Sequence, residues 1–173
     1  MKREFEMSMV GKLNYFLGLQ VKQWRDGIFI SQEKYVKNLV KRFGLDSKKH
    51  TSTPMSSSAK SSIDAAGVDI DPTLYRSMIG SLLYLTASRP DIAFSVEVCA
   101  RFQAASKESY LTAVKRIIRY VNGTSDYRIW YMKDSNECLA GYSDADWAGC
   151  IDDRKSTSGG CFYLGNNLVS WMS

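Results

Sequence analysis

The spacing of apolar residues along this chain changes twice, which restricts it to an α+β fold with strands and helices in separate blocks. Tyr15, Phe16, Leu17, Leu19 and Val21 make the stretch from Asn14 to Gln23 apolar and strand-like. Arg25-Asp26-Gly27 is a turn signal, and Ile28-Phe29-Ile30 follows it. The two runs read as a β-hairpin. Gly18 inside the first run marks a bulge or the close approach of another backbone, with a nucleic-acid strand and simple packing both open as the neighbour. Residues 2–9 read as the tail of a helix.

A helical period then takes over. Ser31 is placed to cap a helix with Glu33 in its first turn and Gly44 beyond its end. Tyr35, Val36, Leu39, Val40 and Phe43 form its apolar face, and Lys34, Lys37 and Lys41 lie opposite. Such a stripe suits both phosphate tracking and the wet side of an amphipathic helix. Residues 46–71, rich in Ser, Thr and Lys, read as a flexible linker. Asp71-Pro72 begins the next helix, with Leu74, Met78, Leu82, Tyr75, Ile79 and Leu83 on its buried side. Ser77, Gly80 and Ser81 are small enough to admit a close neighbour. Arg89-Pro90 starts another helix through Ile92, Val96 and Cys99, with Phe102 near its end. Ser106 is placed to cap a last one, striped by Tyr110, Val114, Ile117 and Val121 and ended by Asn122-Gly123. Lys115, Arg116 and Arg119 give it a basic patch, and the three helices form an all-α unit.

From Tyr127 the period returns to two. Tyr127–Met132, Leu139–Ser143, Cys161–Leu164 and Leu168–Trp171 read as four strands, the last pair joined through Gly165-Asn166-Asn167. A sheet with one apolar face needs a covering layer, and the remaining sequence supplies none, so a truncated domain is expected. There is no apolar run of membrane-spanning length and no signal-peptide core, which points to a soluble intracellular protein. Four cysteines without CxxC spacing and one histidine, His50, argue against a zinc site, a disulfide framework or a Cys–His nucleophile.

Charge is placed unevenly. Residues 1–60 hold twelve Lys or Arg against five Asp or Glu, in a chain of net charge +5. From Asp134 to Asp153 there are six acids and no Lys or Arg. Within that stretch, Gly141-Tyr142-Ser143-Asp144-Ala145-Asp146-Trp147-Ala148-Gly149 puts two carboxylates at i and i+2, on one face if they end a strand. Paired acids there suit a hard cation such as Mg²⁺ and equally suit a solvated acidic turn.

Tyr15-Phe16-Leu17-Gly18-Leu19-Gln20-Val21, Gly27-Ile28-Phe29-Ile30-Ser31-Gln32 and Thr53-Pro54-Met55 resemble, in order, the copia-type retrotransposon Pol polyprotein, most closely in plants. So do Tyr75-Arg76-Ser77-Met78-Ile79-Gly80-Ser81-Leu82-Leu83-Tyr84-Leu85-Thr86, Arg89-Pro90-Asp91-Ile92, Lys115 to Thr124, the Asp144 motif and Arg154-Lys155-Ser156-Thr157-Ser158-Gly159. The likeness covers essentially the whole chain. Tyr110 stands where the family usually has histidine.

The resemblance implies four parts. Residues 1–45 would be the end of a reverse transcriptase palm, with a primer-grip-like hairpin and the first thumb helix. Residues 46–71 would be the linker, 72–125 a helical thumb or connection, and 126–173 the first half of a ribonuclease H-like sheet. Asp144 matches the first catalytic, metal-binding carboxylate; Asp146 matches no catalytic position. The implied chemistry is two-metal, Mg²⁺-dependent hydrolysis of RNA in an RNA·DNA hybrid. Primer–template would be gripped by Leu17, Gly18, Lys34, Lys37, Lys41, Lys115, Arg116 and Arg119. The polymerase Tyr-x-Asp-Asp motif and the remaining acids are expected outside the chain. Activity would then need the rest of Pol, in the cytoplasm or a virus-like particle, with no membrane and no small-molecule substrate. A metal-independent nucleic-acid-binding module and a decayed retroelement copy are the alternatives.

Overall fold

The computed structural model describes residues 13–56, 64, 66–133, 135–145 and 156–172. The expected helix at 2–9, together with Asp146, Trp147, Arg154 and Lys155, lies outside them. The described residues form an α+β molecule in which helices and strands alternate as blocks, as the two changes of period require.

The N-terminal apolar run is two strands, not one. β1 (Tyr15–Phe16) and β2 (Leu19–Trp24) pair antiparallel through a two-residue turn in which Leu17 has φ 48° and Gly18 φ 80°. Two positive φ angles in a two-residue loop are the type I′ arrangement, whose twist matches that of paired strands. Gly18 is needed for a second reason, because a Cβ there would run into the Tyr84 hydroxyl. The close neighbour is therefore a helix side chain rather than another backbone. β3 (Gly27–Ser31) completes the expected hairpin with β2, in a register that sets Val21 against Ile30 and Lys22 against Phe29.

Ser31 is the last residue of β3, so its backbone is already committed to the sheet and Gln32 takes the N-cap position of α1 (Glu33–Arg42). Gln32 is buried and holds Ser88 and the Tyr84 carbonyl through its amide, which leaves α1 without a side-chain cap. At the other end Gly44, at φ 64°, donates to the Lys41 carbonyl while Leu45 donates to that of Val40. These paired bonds are a Schellman ending, and buried Leu45 supplies its apolar contact.

α2 (Pro72–Leu85) starts as expected, with Asp71 accepting from the Thr73 N–H at 2.8 Å and Pro72 in the first turn. Tyr75, Met78, Ile79, Leu82 and Leu85 are buried, whereas Leu74 and Leu83 are exposed. The buried stripe is thus narrower than the sequence suggests. Gly80 faces open space and admits no neighbour, while Ser81 is buried and offers its carbonyl to the Tyr35 hydroxyl.

α3 (Pro90–Ala100) buries Ile92, Val96 and Cys99. α4 (Glu108–Gly123) begins one residue later than expected, with Lys107 at its N-cap. Ser106 is buried instead, its carbonyl accepting from Ile70, so it belongs to the bridge between Asp69 and Lys107.

One core joins all four helices, with Val36, Leu39 and Val40 of α1 packed among residues of α2, α3 and α4. Each such aliphatic side chain removed from water stabilises the fold by roughly 1.5–3 kcal/mol. Tyr75 reaches the centre because its hydroxyl donates to the Cys99 carbonyl at 2.7 Å. The described part of 46–71 lies along α4. The Thr51 hydroxyl donates to the Arg116 carbonyl, and Arg116 donates to the carbonyl and hydroxyl of Thr53.

The four expected late strands divide between two sheets. β4 (Ile129–Met132) pairs antiparallel with β3, giving a sheet of order β1-β2-β3-β4. β5 (Leu139–Ala145), β6 (Ser158–Leu164) and β7 (Asn167–Met172) form a separate antiparallel sheet in that order. The β6–β7 turn is Gly165-Asn166 alone, with Gly165 at φ 59° and Asn167 inside β7. Asn167 bonds its side chain to both the N–H and the carbonyl of Met132, and Trp171 donates from Nε1 to the Thr86 carbonyl. The second sheet is thereby tied to the first and to the end of α2.

Candidate functional site

Asp144 is the next-to-last residue of β5 and is exposed. Its register partner is Gly159, so no side chain stands across from the carboxylate. Alternation puts Tyr142 on the same face as Asp144, and the pairing of Cys161 with Tyr142 and Trp171 adds those two. This face borders a cleft of about 560 Å³ closed on the other side by Pro90, Ala93 and Phe94 at the start of α3. Thr157 also borders it and accepts a hydrogen bond from Arg101 at 2.8 Å.

A carboxylate in that setting is open to solvent. Among the described residues no three His, Cys, Asp or Glu side chains gather closely enough to hold a metal ion. Mg²⁺ keeps several of its waters and is often held by one or two carboxylates with substrate phosphates, so Asp144 fits as one ligand. A two-metal centre needs further acids than the described residues bring together.

The expected nucleic-acid residues fall in different settings. Leu17 is 77% exposed at the tip of the β1–β2 turn, and its carbonyl accepts from the Tyr84 hydroxyl at 2.7 Å. Lys34, Lys37 and Lys41 are exposed along α1, and Lys37 pairs with Glu33 at 2.6 Å. That hydrogen bond, followed by the lysine's charge, holds the Glu33 carboxyl below its usual range. Lys115 is exposed on α4. Arg116 is occupied with Thr53, and Arg119 is half-buried with its Nε shielded and without a partner among the described residues. Only part of the expected basic set thus faces solvent freely.

Sequence reasoning missed a polar cluster at the start of α3. Arg89 is almost fully buried and makes a two-point ion pair with Asp91 at 2.8 and 2.7 Å. It also donates to the carbonyl and hydroxyl of Thr124, while the Tyr120 hydroxyl donates to Asp91 at 2.9 Å. Burial alone would raise the Asp91 carboxyl, but the hydrogen bonds and charge of Arg89 outweigh it and hold the group below its ordinary value. Burial, then the bond to Asp91, pushes the Tyr120 hydroxyl up. Arg89-Pro90-Asp91 carried a signal, since an Arg two residues before an Asp across a first-turn Pro can close a local fork. Also missed was a row of rings on the first sheet, Trp24, Phe29 and Trp130.

Over all 173 residues the chain is 39% identical to the retrovirus-related Pol polyprotein from transposon RE1 of Arabidopsis thaliana, of which it spans 12%. An uncharacterised mitochondrial protein of the same plant is 39% identical over 170 residues, 98% of this chain and 70% of that protein. The chain belongs to the copia-type retrotransposon Pol polyprotein family. A third member, the Pol polyprotein from transposon TNT 1-94 of Nicotiana tabacum, is 34% identical over 182 residues and is covered over 14% of its length. The chain therefore spans a small share of the Pol polyproteins it matches. No family model matches it. No solved structure matches it. Among the described residues no helix is long and apolar enough to cross a membrane.

Proposed function

We propose that this chain is the stretch of a retrotransposon reverse transcriptase–ribonuclease H that grips primer–template and contributes Asp144 to RNA hydrolysis in RNA·DNA hybrids. It works as part of a longer Pol polyprotein, in the cytoplasm or a virus-like particle. The observation that carries this reading is the placement of Asp144, exposed beside a cleft with only a glycine across from it. Among the described residues no side chain stands across from the carboxylate to oppose a phosphate and its cation. Asp144 would hold Mg²⁺ together with acids that lie beyond the described residues. When bound, the metal activates water and stabilises the leaving oxygen. The β1–β2 turn and the exposed lysines of α1 and α4 would steady the duplex through its phosphates.

The test has two arms. Asp144→Asn in the complete Pol protein is expected to abolish cleavage of a hybrid while leaving hybrid affinity within about twofold, since the lysines along the duplex carry most of the phosphate contacts in this reading. Cleavage that survives the substitution removes the assignment. The 173-residue chain alone is expected to bind a hybrid at low salt without cutting it. Replacing Lys34, Lys41 or Lys115 by Ser should reduce the salt dependence of that binding by about one unit of slope each.

A metal-independent grip is the second reading, favoured by the exposure of Lys34, Lys41 and Lys115. It predicts that chelating Mg²⁺ leaves hybrid binding by the 173-residue chain unchanged, and that Asp144→Asn leaves hybrid cleavage by the complete protein unchanged.

A further inference from the structure

Alternation and register place Lys22 and Trp24 of β2, Gly27 and Phe29 of β3, and Trp130 of β4 on one face of the four-stranded sheet. The aliphatic residues Val21, Ile30 and Ile129 line up on the other face. The rings form a row. Phe29 and Trp130 have centroids 4.3 Å apart at 38°, and Trp24 meets Phe29 edge-on at 6.5 Å. Gly27 explains how Trp130 joins it, because a Cβ at that position would run into the indole and the Tyr131 carbonyl. The indole lies over the glycine, close against the strand.

These rings meet solvent rather than a core. Trp24 is 66% exposed, Phe29 and Trp130 are half-buried, and Gly27 is the only buried residue of the four strands. Cations border the row. Lys22 is the exposed cross-strand neighbour of Phe29, and the Arg128 guanidinium carbon sits 5.8 Å from the Phe29 centroid. Glu33 is near enough to feel both charges, and its carboxylate is held by Lys37.

Flat rings open to water, with cations beside them, match a ligand that offers π-faces and a string of negative charges. A duplex presents its phosphates but hides its base faces, whereas an unpaired strand presents both. We infer that this face of the first sheet binds an unpaired nucleic-acid strand, stacking bases on Trp24 and on the Phe29–Trp130 pair while Lys22 and Arg128 meet its phosphates. This rests on the reading that the chain handles nucleic acid, and adds a site apart from the duplex grip and Asp144. RNA and DNA share the chemistry, so both are tested.

The experiment uses the 173-residue chain, fluorescence anisotropy, and end-labelled oligo(rA) and oligo(dA) of about twelve nucleotides beside an RNA·DNA hybrid of the same length. The chain is expected to bind the single strands, and Trp24→Ala, at an exposed position, to weaken that binding about tenfold with hybrid affinity within about twofold. Phe29→Leu should act in the same direction, checked by circular dichroism for an intact fold. Preference for one oligomer identifies the sugar that the face accepts. Unchanged single-strand affinity in both folded variants overturns the inference. Hybrid binding without single-strand binding overturns it while leaving the wider reading intact, and binding to neither removes both. Loss of self-association in Trp24→Ala, with no single-strand binding by the parent chain, would assign the face to contacts between copies instead.

Discussion

Arg89 carries its charge into the helical unit because Asp91 and Thr124 between them accept four of its N–H groups. Asp91 takes the fork, Thr124 takes two further N–H groups, and the rings of Tyr120 and Tyr127 stand 5.7 and 5.1 Å from its central carbon. The cluster ties the start of α3 to the end of α4 just before the chain enters β4. Arg89→Met should therefore destabilise the fold by about 2–4 kcal/mol in denaturant titration, slightly less than a fully buried pair because Asp91 is partly exposed. Arg89→Lys should recover little of it, since an ammonium cannot fork. Asp91 also sets a pH dependence. Its folded carboxyl lies below the ordinary 3.8, so its contribution is complete above that value and is lost as the pH falls through the lower folded value. Asp91→Asn should flatten that acid limb of the stability curve. Tyr110, where the family resemblance leads one to expect histidine, stacks on Phe102 at 4.1 Å and accepts from the Asp64 N–H. The departure from the family pattern is accommodated by packing.

Among the elements, α1 shows most directly how the sequence specifies an ending. Gly44 has nothing within 4 Å of a notional Cβ, so only its positive φ is at stake. Gly44→Ala should cost about 1 kcal/mol and shift the thermal midpoint down without changing the fold. The β2–β3 hairpin and all four helices were legible because long runs keep one period and end at Gly, Pro or Asp. The β1–β2 break was not, since the apolar run continues through Leu17 to Leu19 and the left-handed backbone of Leu17 and Gly18 is what makes the turn. Caps slipped by one residue for a similar reason. Ser31 and Ser106 have cap chemistry, but the backbone of each is already engaged by a strand or bridge. The partner of β4 was illegible for a different reason, because period two says which side faces the core and not which strand lies alongside. Asp144 was readable as an exposed strand-end acid. The ring row was not, because it needs the β3–β4 register.

For the molecule as a whole, the second sheet has two unlike faces. The face bearing Asp144 meets α3, while Leu139, Phe162, Leu164 and Met172 share the other and are all exposed, Leu139 by 73%. An apolar strip of that size on a three-stranded sheet favours association. The 173-residue chain should sediment as concentration-dependent oligomers, and Phe162→Ser with Leu164→Lys should return it toward monomer. A monomer at all concentrations before substitution would contradict this. The pairing of β3 with β4 has its own consequence during synthesis. Ser31 leaves the ribosome well before Ile129, roughly 5–20 s earlier at ordinary elongation rates. Three strands must therefore wait with a vacant edge while the helices emerge and collapse, and the last strand seals that edge only once α4 is made. A nascent-chain assay should find the first sheet protected from proteolysis only after translation has passed Met132.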